Sequence, residues 1–231
     1  MRSTYSPKAD FPPVVAMSLD QPTEKPVIRV KELSERDRRR LLMHFLALDD
    51  SDRLLRFGTV LPDELVTRYV QKLDFSRDKV FGVYDSNLDL LGVGHLAFAP
   101  KEAMPSLSDA TLKARIAEFG VSVAASARGL GIGSRLFERA AIHCRNEDVD
   151  ILYMHCLSSN QTMIHIAKKA GMEIQRGYGE ADAYLKLTPA NPGSILQEAV
   201  EEQFAAFDYT FKANSKAAAK LLRKLPGIKG K

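Results

Sequence analysis

Cysteine is scarce in this chain. Its two cysteines, Cys144 and Cys156, are too few and too ordinarily spaced for a disulfide framework or a metal site, so a reducing cytoplasm is the expected setting. Long apolar runs are missing as well, since nothing approaches the roughly 20 residues that cross a bilayer. The opening Met1-Arg2-Ser3-Thr4-Tyr5 has no apolar core behind its charge and gives no sign of a secretory signal. Charge of one sign is slight, a formal +4, and no nucleic-acid motif accompanies it; a solvated surface accounts for it. His95, His143, His155 and His165 lack metal-ligand spacing, and no internal repeat occurs. What is present is the composition of an ordinary globular protein, 45% hydrophobic and 27% charged, whose 231 residues suffice for one domain with appendages.

One further absence is local. No proline lies between Glu118 and Leu136, so every main-chain N–H there can donate. Phe119, Val121 and Val123 keep the two-residue period of a strand. Gly129, Gly131 and Gly133 follow, and from Ile132 the period changes to four through Leu136, Ala140 and Cys144, the apolar stripe of an amphipathic helix. A strand, a glycine-rich turn and a helix in that order form a site for a phosphate-bearing anion. Glycines let it approach, and the first N–H groups of the helix have no partner inside it. A P-loop would need a lysine, which is absent, and a dinucleotide fingerprint would need a third glycine where Ser134 stands.

The rest of the chain arranges itself around that segment. Residues 1–25, with Pro7, Pro12, Pro13 and Pro22, read as an extended arm. A first strand is expected at Pro26–Lys31, then a helix opened by Ser34-Glu35-Arg36-Asp37 and ending near Asp49-Asp50, then a helix from Pro62 to about Lys72. Val80–Tyr84 and Leu90–Ala97 make a hairpin, and Pro100–Thr111 a loop. After the glycine-turn helix come a strand at Ile151–Cys156, a short helix from Asn160 closed by Gly171, and a last hairpin turning at Gly177–Glu180. Beyond Pro189, two helices are expected, Ile195–Phe207 and Ser215–Leu225, docking on the domain or on a second subunit, with a basic tail at Pro226–Lys231. The division is an arm at 1–25, a catalytic domain at 26–188 and a helical extension at 189–231.

Arg128-Gly129-Leu130-Gly131-Ile132-Gly133 fits Q/R-x-x-G-x-G/A and resembles the acetyl-CoA pyrophosphate loop of the GCN5-related N-acetyltransferase (GNAT) superfamily. Asn160 to Met172 is similar to a second signature of that superfamily, N-x-x-A-x-x-x-Y-x-K-x-G-F, matching at Asn160, Lys169 and Gly171. It departs at Met163 and at Ala167, which replaces the tyrosine that protonates the leaving thiolate in many members. Glu118 ahead of Gly120-Val121-Ser122-Val123, and Arg53-Leu54-Leu55-Arg56-Phe57 after a helix, resemble bacterial Pat-type protein lysine acetyltransferases. The resemblance covers about residues 26–188. It implies an α/β acyl-CoA N-acyltransferase fold, a mixed twisted sheet of six or seven strands with helices on both faces.

It also implies roles. Glu118 is the general base, acting directly or through water, and acetyl-CoA is the co-substrate with no metal. Arg128, Gly129, Gly131, Ile132, Gly133 and Ser134 hold the diphosphate. Main-chain groups of Val121 and Val123 hold the pantetheine, with Asn160 as a further partner or a helix cap. A strand irregularity permitted by Gly120 would present an N–H to the thioester oxygen. Tyr178 and Tyr184 are candidate replacement acids, and Asp49, Asp50 and Asp52 could attract a cationic acceptor. The acceptor is a primary amine, a protein lysine being one candidate, selected by loops at 49–61 and 177–181. The alternatives are a small amine, such as a polyamine or aminoglycoside, and a non-catalytic acyl-CoA-binding module, which Ala167 makes plausible. A homodimer is conceivable; a membrane or specific nucleic-acid partner is not expected.

Overall fold

The computed structural model describes residues 27–98 and 114–223. The arm at 1–25, the loop Pro100–Thr111 and the basic tail therefore lie outside the described residues. Helix formation begins where Ser34 N–H donates to the Asp37 carboxylate at 3.0 Å. The turn at Glu35–Asp37 runs into α1 (Arg38–Leu46), which buries Leu41 and Phe45. This helix stops short of the expected end, and the stretch read as an acceptor loop is itself helical. Asp49 accepts the Asp52 N–H at 2.8 Å, α2 (Asp50–Phe57) follows, and Gly58 closes it in the left-handed region at φ +74°. After α3 (Asp63–Lys72) come β2 (Lys79–Tyr84) and β3 (Leu90–Phe98).

The expected first strand is mostly not a strand. Only β1 (Lys31–Glu32) pairs, against Gly82 and Phe81 of β2, while Val30 is buried in the core instead. Next come β4 (Ile116–Val123), α4 (Ile132–Asn146), β5 (Ile151–Leu157), α5 (Gln161–Lys169), β6 (Glu173–Gly177) and β7 (Glu180–Lys186). The seven strands form one sheet in the order β1-β2-β3-β4-β5-β7-β6, antiparallel except for β4 beside β5. One apolar core lies between the sheet and α4 and α5, and a second between the other face and α1 and α3.

The two expected C-terminal helices are one, α6 (Pro192–Leu222), 31 residues long. Asn191 caps its first turn, Pro192 stands at its start, and no glycine or proline interrupts it after Gly193. Its attachment combines apolar packing of Ala205, Tyr209 and Ala213 with a buried ion-pair cluster. Arg139 of α4 is 1% exposed, stacks 5.0 Å from the Phe81 ring, and meets Glu198 at 2.6 Å and Glu202 at 3.4 Å. His143 Nδ1 and Asn146 converge on the same Glu198. Burial would raise the Glu198 carboxyl, but hydrogen bonds from His143, Asn146 and Arg139 outweigh it and bring the pKa down to about 2. The arrangement is a buried cation held by carboxylates, and losing one partner strands the others. Replacing Arg139 with methionine is expected to cost about 3–5 kcal/mol, read from urea unfolding.

A second buried polar contact ties α1 to the sheet. His44 Nδ1 donates to the Leu90 carbonyl at 2.9 Å, which leaves Nε2 to accept the Ser122 hydroxyl at 2.7 Å. Burial, aided by the nearby Arg56 charge, pushes the His44 pKa down to about 4 despite the Leu90 bond. The folded chain thus binds fewer protons at His44 than the unfolded chain between that value and 6.5. Stability attributable to His44 is present above this window and lost as pH falls through it, by about 3 kcal/mol at its acid end. In His44→Gln the urea-unfolding free energy should vary less over the same pH range.

Candidate functional site

The parallel pairing of β4 and β5 is short. It joins Ile116–Glu118 to Ile151–Tyr153, after which β4 runs on to Val123 beside β3 alone and β5 to Leu157 beside β7. A gap therefore opens in the middle of the sheet just beyond Glu118. Ala124 N–H donates to Leu91 O of β3 at 2.8 Å, so strand alternation directs the main-chain groups of Val121 and Val123 the other way, into the gap. Their half-buried side chains join the core on the α4 face.

Past the end of β4, a single turn at Ala125–Ala127 leads to Arg128 and the glycine loop. Gly129 and Gly131 take φ values of +77° and +84°, and Gly131 is the N-cap of α4. A side chain at Gly131 would be strained in that conformation, which is what bends the chain from strand into helix so abruptly. The consequence is a row of donors. Arg135 N–H is the first in the loop to find its helical acceptor, at Gly131 O; the N–H groups of residues 129–134 have none among the described residues. Residues 129–131 are exposed, so the row faces solvent at the positive end of α4. Ile132 is buried in the core, Gly133 faces Ile166 of α5, and Ser134 is half-buried on the first turn. Arg128 is exposed, with its guanidinium on the Asp52 carboxylate of α2.

Asn160 caps α5, its Oδ1 accepting Met163 N–H at 3.1 Å, while Nδ2 donates to Leu55 O of α2 at 3.4 Å. Together with the Arg128–Asp52 pair, this bond fixes α2 across the open end of the gap. A half-open sheet with outward main-chain groups, leading to a turn of unpaired amides, suits a long ligand with a peptide-like arm and a diphosphate. Among the described residues, no group of three or more His, Cys, Asp or Glu could hold a metal ion.

A family model described as the acetyltransferase (GNAT) family matches residues 50–172. The chain belongs to that family. This acetyltransferase takes acetyl-CoA as co-substrate. Solved structures of similar fold include the GNAT domain of S. lividans PAT, 21% identical, covering 69% of this chain and 90% of that one, with a TM-score of 0.56. Arabidopsis thaliana NAA60 in complex with acetyl-CoA is 12% identical, covering 69% and 98%, with a TM-score of 0.52. Spermidine N-acetyltransferase from Vibrio cholerae, in complex with CoA and spermine, is 19% identical, covering 68% and 92%, with a TM-score of 0.50. No curated protein matches the chain.

On the acetyltransferase's other face, Glu118 is exposed at the last paired position of β4, opposite Tyr153. Tyr153 donates to Asp182 at 2.5 Å, and the His155 ring meets the same carboxylate at 2.9 Å. Burial works to raise the Asp182 carboxyl, but these two bonds outweigh it and hold it below the usual range. Tyr184 packs on Tyr153 with ring centroids 5.1 Å apart, whereas Tyr178 projects fully into solvent from the last hairpin turn. The expected acidic attraction by Asp49 and Asp52 is diverted, since Asp49 caps α2 and Asp52 holds Arg128.

The expected irregularity at Gly120 is absent. Pairing with β3 is regular from Ala117 through Val123, and the one shift in this hairpin region falls at Val83/Tyr84. Gly120 serves a close approach instead: a Cβ there would stand 3.1 Å from the Arg56 guanidinium carbon. Arg56 lies among Phe45, Phe57 and Tyr69, and no carboxylate pairs with it among the described residues. It donates to Tyr69 Oη at 2.9 Å; Tyr69 in turn donates to His95 Nδ1 at 3.0 Å, and His95 Nε2–H to Asp78 at 3.2 Å. The sequence marks Arg56 only through a family resemblance and His95 only as lacking metal-ligand spacing, and assigns no role to Tyr69 or Asp78. The available signal was Gly120 and Ser122 alternating on one face of a strand whose other face is apolar. Gly131→Ala is expected to carry about 1–2 kcal/mol of backbone strain and to weaken acetyl-CoA binding about tenfold by calorimetry.

Proposed function

We propose that the protein transfers the acetyl group of acetyl-CoA to a primary amine carried on a cationic acceptor, with a protein lysine as the favoured case. The observation that carries this reading is the position of Glu118, exposed at the point where the sheet opens. The acceptor face around it supports a cation: Asp182, Glu180 and Glu173 lie on the strands beyond Tyr153. A lysine amine has a pKa near 10.4, so presenting it neutral at pH 7 costs roughly 4–5 kcal/mol. Glu118 accepts that proton, directly or through one water, as the amine nitrogen bonds to the thioester carbon and the carbon–sulfur bond breaks.

In this reading the loop from Arg128 to Ser134 takes the diphosphate, with Arg128 exchanging Asp52 for phosphate. Val121 and Val123 hold the pantetheine by their main chains, and Asn160 positions the loop end of β5. Ala167 is buried in the core and has no proton to give. The departing thiolate needs little help, because a thiol pKa of about 8.5 leaves it only weakly basic near neutrality. Cys144 and Cys156 are unpaired thiols, as a reducing cytoplasm would keep them. No helix among the described residues is long and apolar enough to cross a membrane.

Coenzyme A release should be followed with lysine peptides, polyamines and aminoglycosides as acceptors. Glu118→Gln is expected to lower kcat about 10²–10⁴-fold with acetyl-CoA binding intact. Its residual rate should climb about tenfold per pH unit with the neutral amine fraction. An unchanged rate over pH 6–9 would remove Glu118 from the mechanism. Binding of acetyl-CoA with no acceptor consumed would favour the regulatory module.

A further inference from the structure

Helix α6 is amphipathic in the reverse sense. The face it turns to the domain carries Glu198 and Glu202, paired with Arg139 of α4, the buried Ala205, Tyr209 packed on the Tyr84 ring, and Lys212, which donates to the Tyr84 carbonyl of β2. The opposite face presents Leu196, Val200, Phe204, Phe207 and Phe211, which are 65%, 43%, 53%, 73% and 64% exposed. Steps of three and four residues keep these five on one stripe. An apolar stripe of this length on the outside of a helix marks an interaction surface.

We propose that this stripe is the interface between two copies of the chain, paired antiparallel about a two-fold axis at the middle of the stripe, between Phe204 and Phe207, where stripe lies on stripe. Area is the argument for a second copy. At roughly 200 Å² per phenylalanine the three rings alone expose about 400 Å². With Leu196, Val200 and the residues between, each copy offers on the order of 600–800 Å², near the roughly 800 Å² per partner of a stable interface. The stripe is self-complementary, as a two-fold contact requires.

The full chain should sediment at twice its own mass at micromolar concentration. The double variant Phe207→Glu, Phe211→Glu should sediment as a monomer that still unfolds in one cooperative step, with unchanged coenzyme A release, because both side chains lie outside the core. In a Cys156→Ser background, Phe204→Cys or Phe207→Cys should cross-link to its twin on mild oxidation, and Leu196→Cys should not. The proposal is overturned by a wild-type monomer, by a dimer that survives the glutamates, or by equal cross-linking at Leu196, which marks a parallel pair. A monomer whose stripe binds a hydrophobic dye only after removal of residues 1–25 also overturns it and gives the stripe to that arm.

Discussion

The parting of β4 from β5 is the constraint from which the rest of the site follows. Two parallel strands that stayed paired to their ends would satisfy one another's main chains and leave no place for a ligand. Here pairing ends at Glu118 and Tyr153, and the remaining residues of β4 keep a full ladder only with β3. The outward main chain of Val121 and Val123 becomes an unpaired edge in the interior of a sheet, a liability unless something completes it. In the proposed reading, the amide-bearing arm of acetyl-CoA is what completes that edge.

The structure holds the gap open by polar means from both sides. On one side, α2 reaches across through Asn160 to Leu55 and Asp52 to Arg128. On the other, the Arg56 guanidinium lies against Gly120, with Tyr69, His95 and Asp78 behind it in a single direction of donation. The apolar cores then only have to support the two halves of the sheet, which they do separately. Farther out, the buried Arg139 fixes α6 through carboxylates. With the ion-paired side of α6, and Ala205 and Tyr209 beside it, turned to the domain, the stripe from Leu196 to Phe211 is left outward.

Much of this was legible in the order of residues. The period-two run at Phe119, Val121 and Val123, the glycines that follow and the period-four run from Ile132 specify strand, turn and helix, because each pattern matches only one backbone geometry. The cap at Asn160, the stop at Gly171 and the last hairpin were equally local. The misses share a cause. Whether Asp50–Phe57 is loop or helix depends on a one-residue cap at Asp49, and the union of two expected helices into α6 depends on Asn214 and Ser215, which tolerate a helix without requiring one.

By itself, the sequence determined the glycine turn and the strand and helix on either side of it, since glycine at positive φ and alternating apolar residues act within a few bonds of themselves. It also determined, through two motifs, the family. Only the tertiary structure decided that β4 and β5 separate after Glu118, that Gly120 makes room for Arg56 and not for a bulge, and that α6 docks by its ion-paired side. Each of these joins residues dozens of positions apart, and such pairings are settled by which surfaces fit and which charges find partners, which no local pattern encodes.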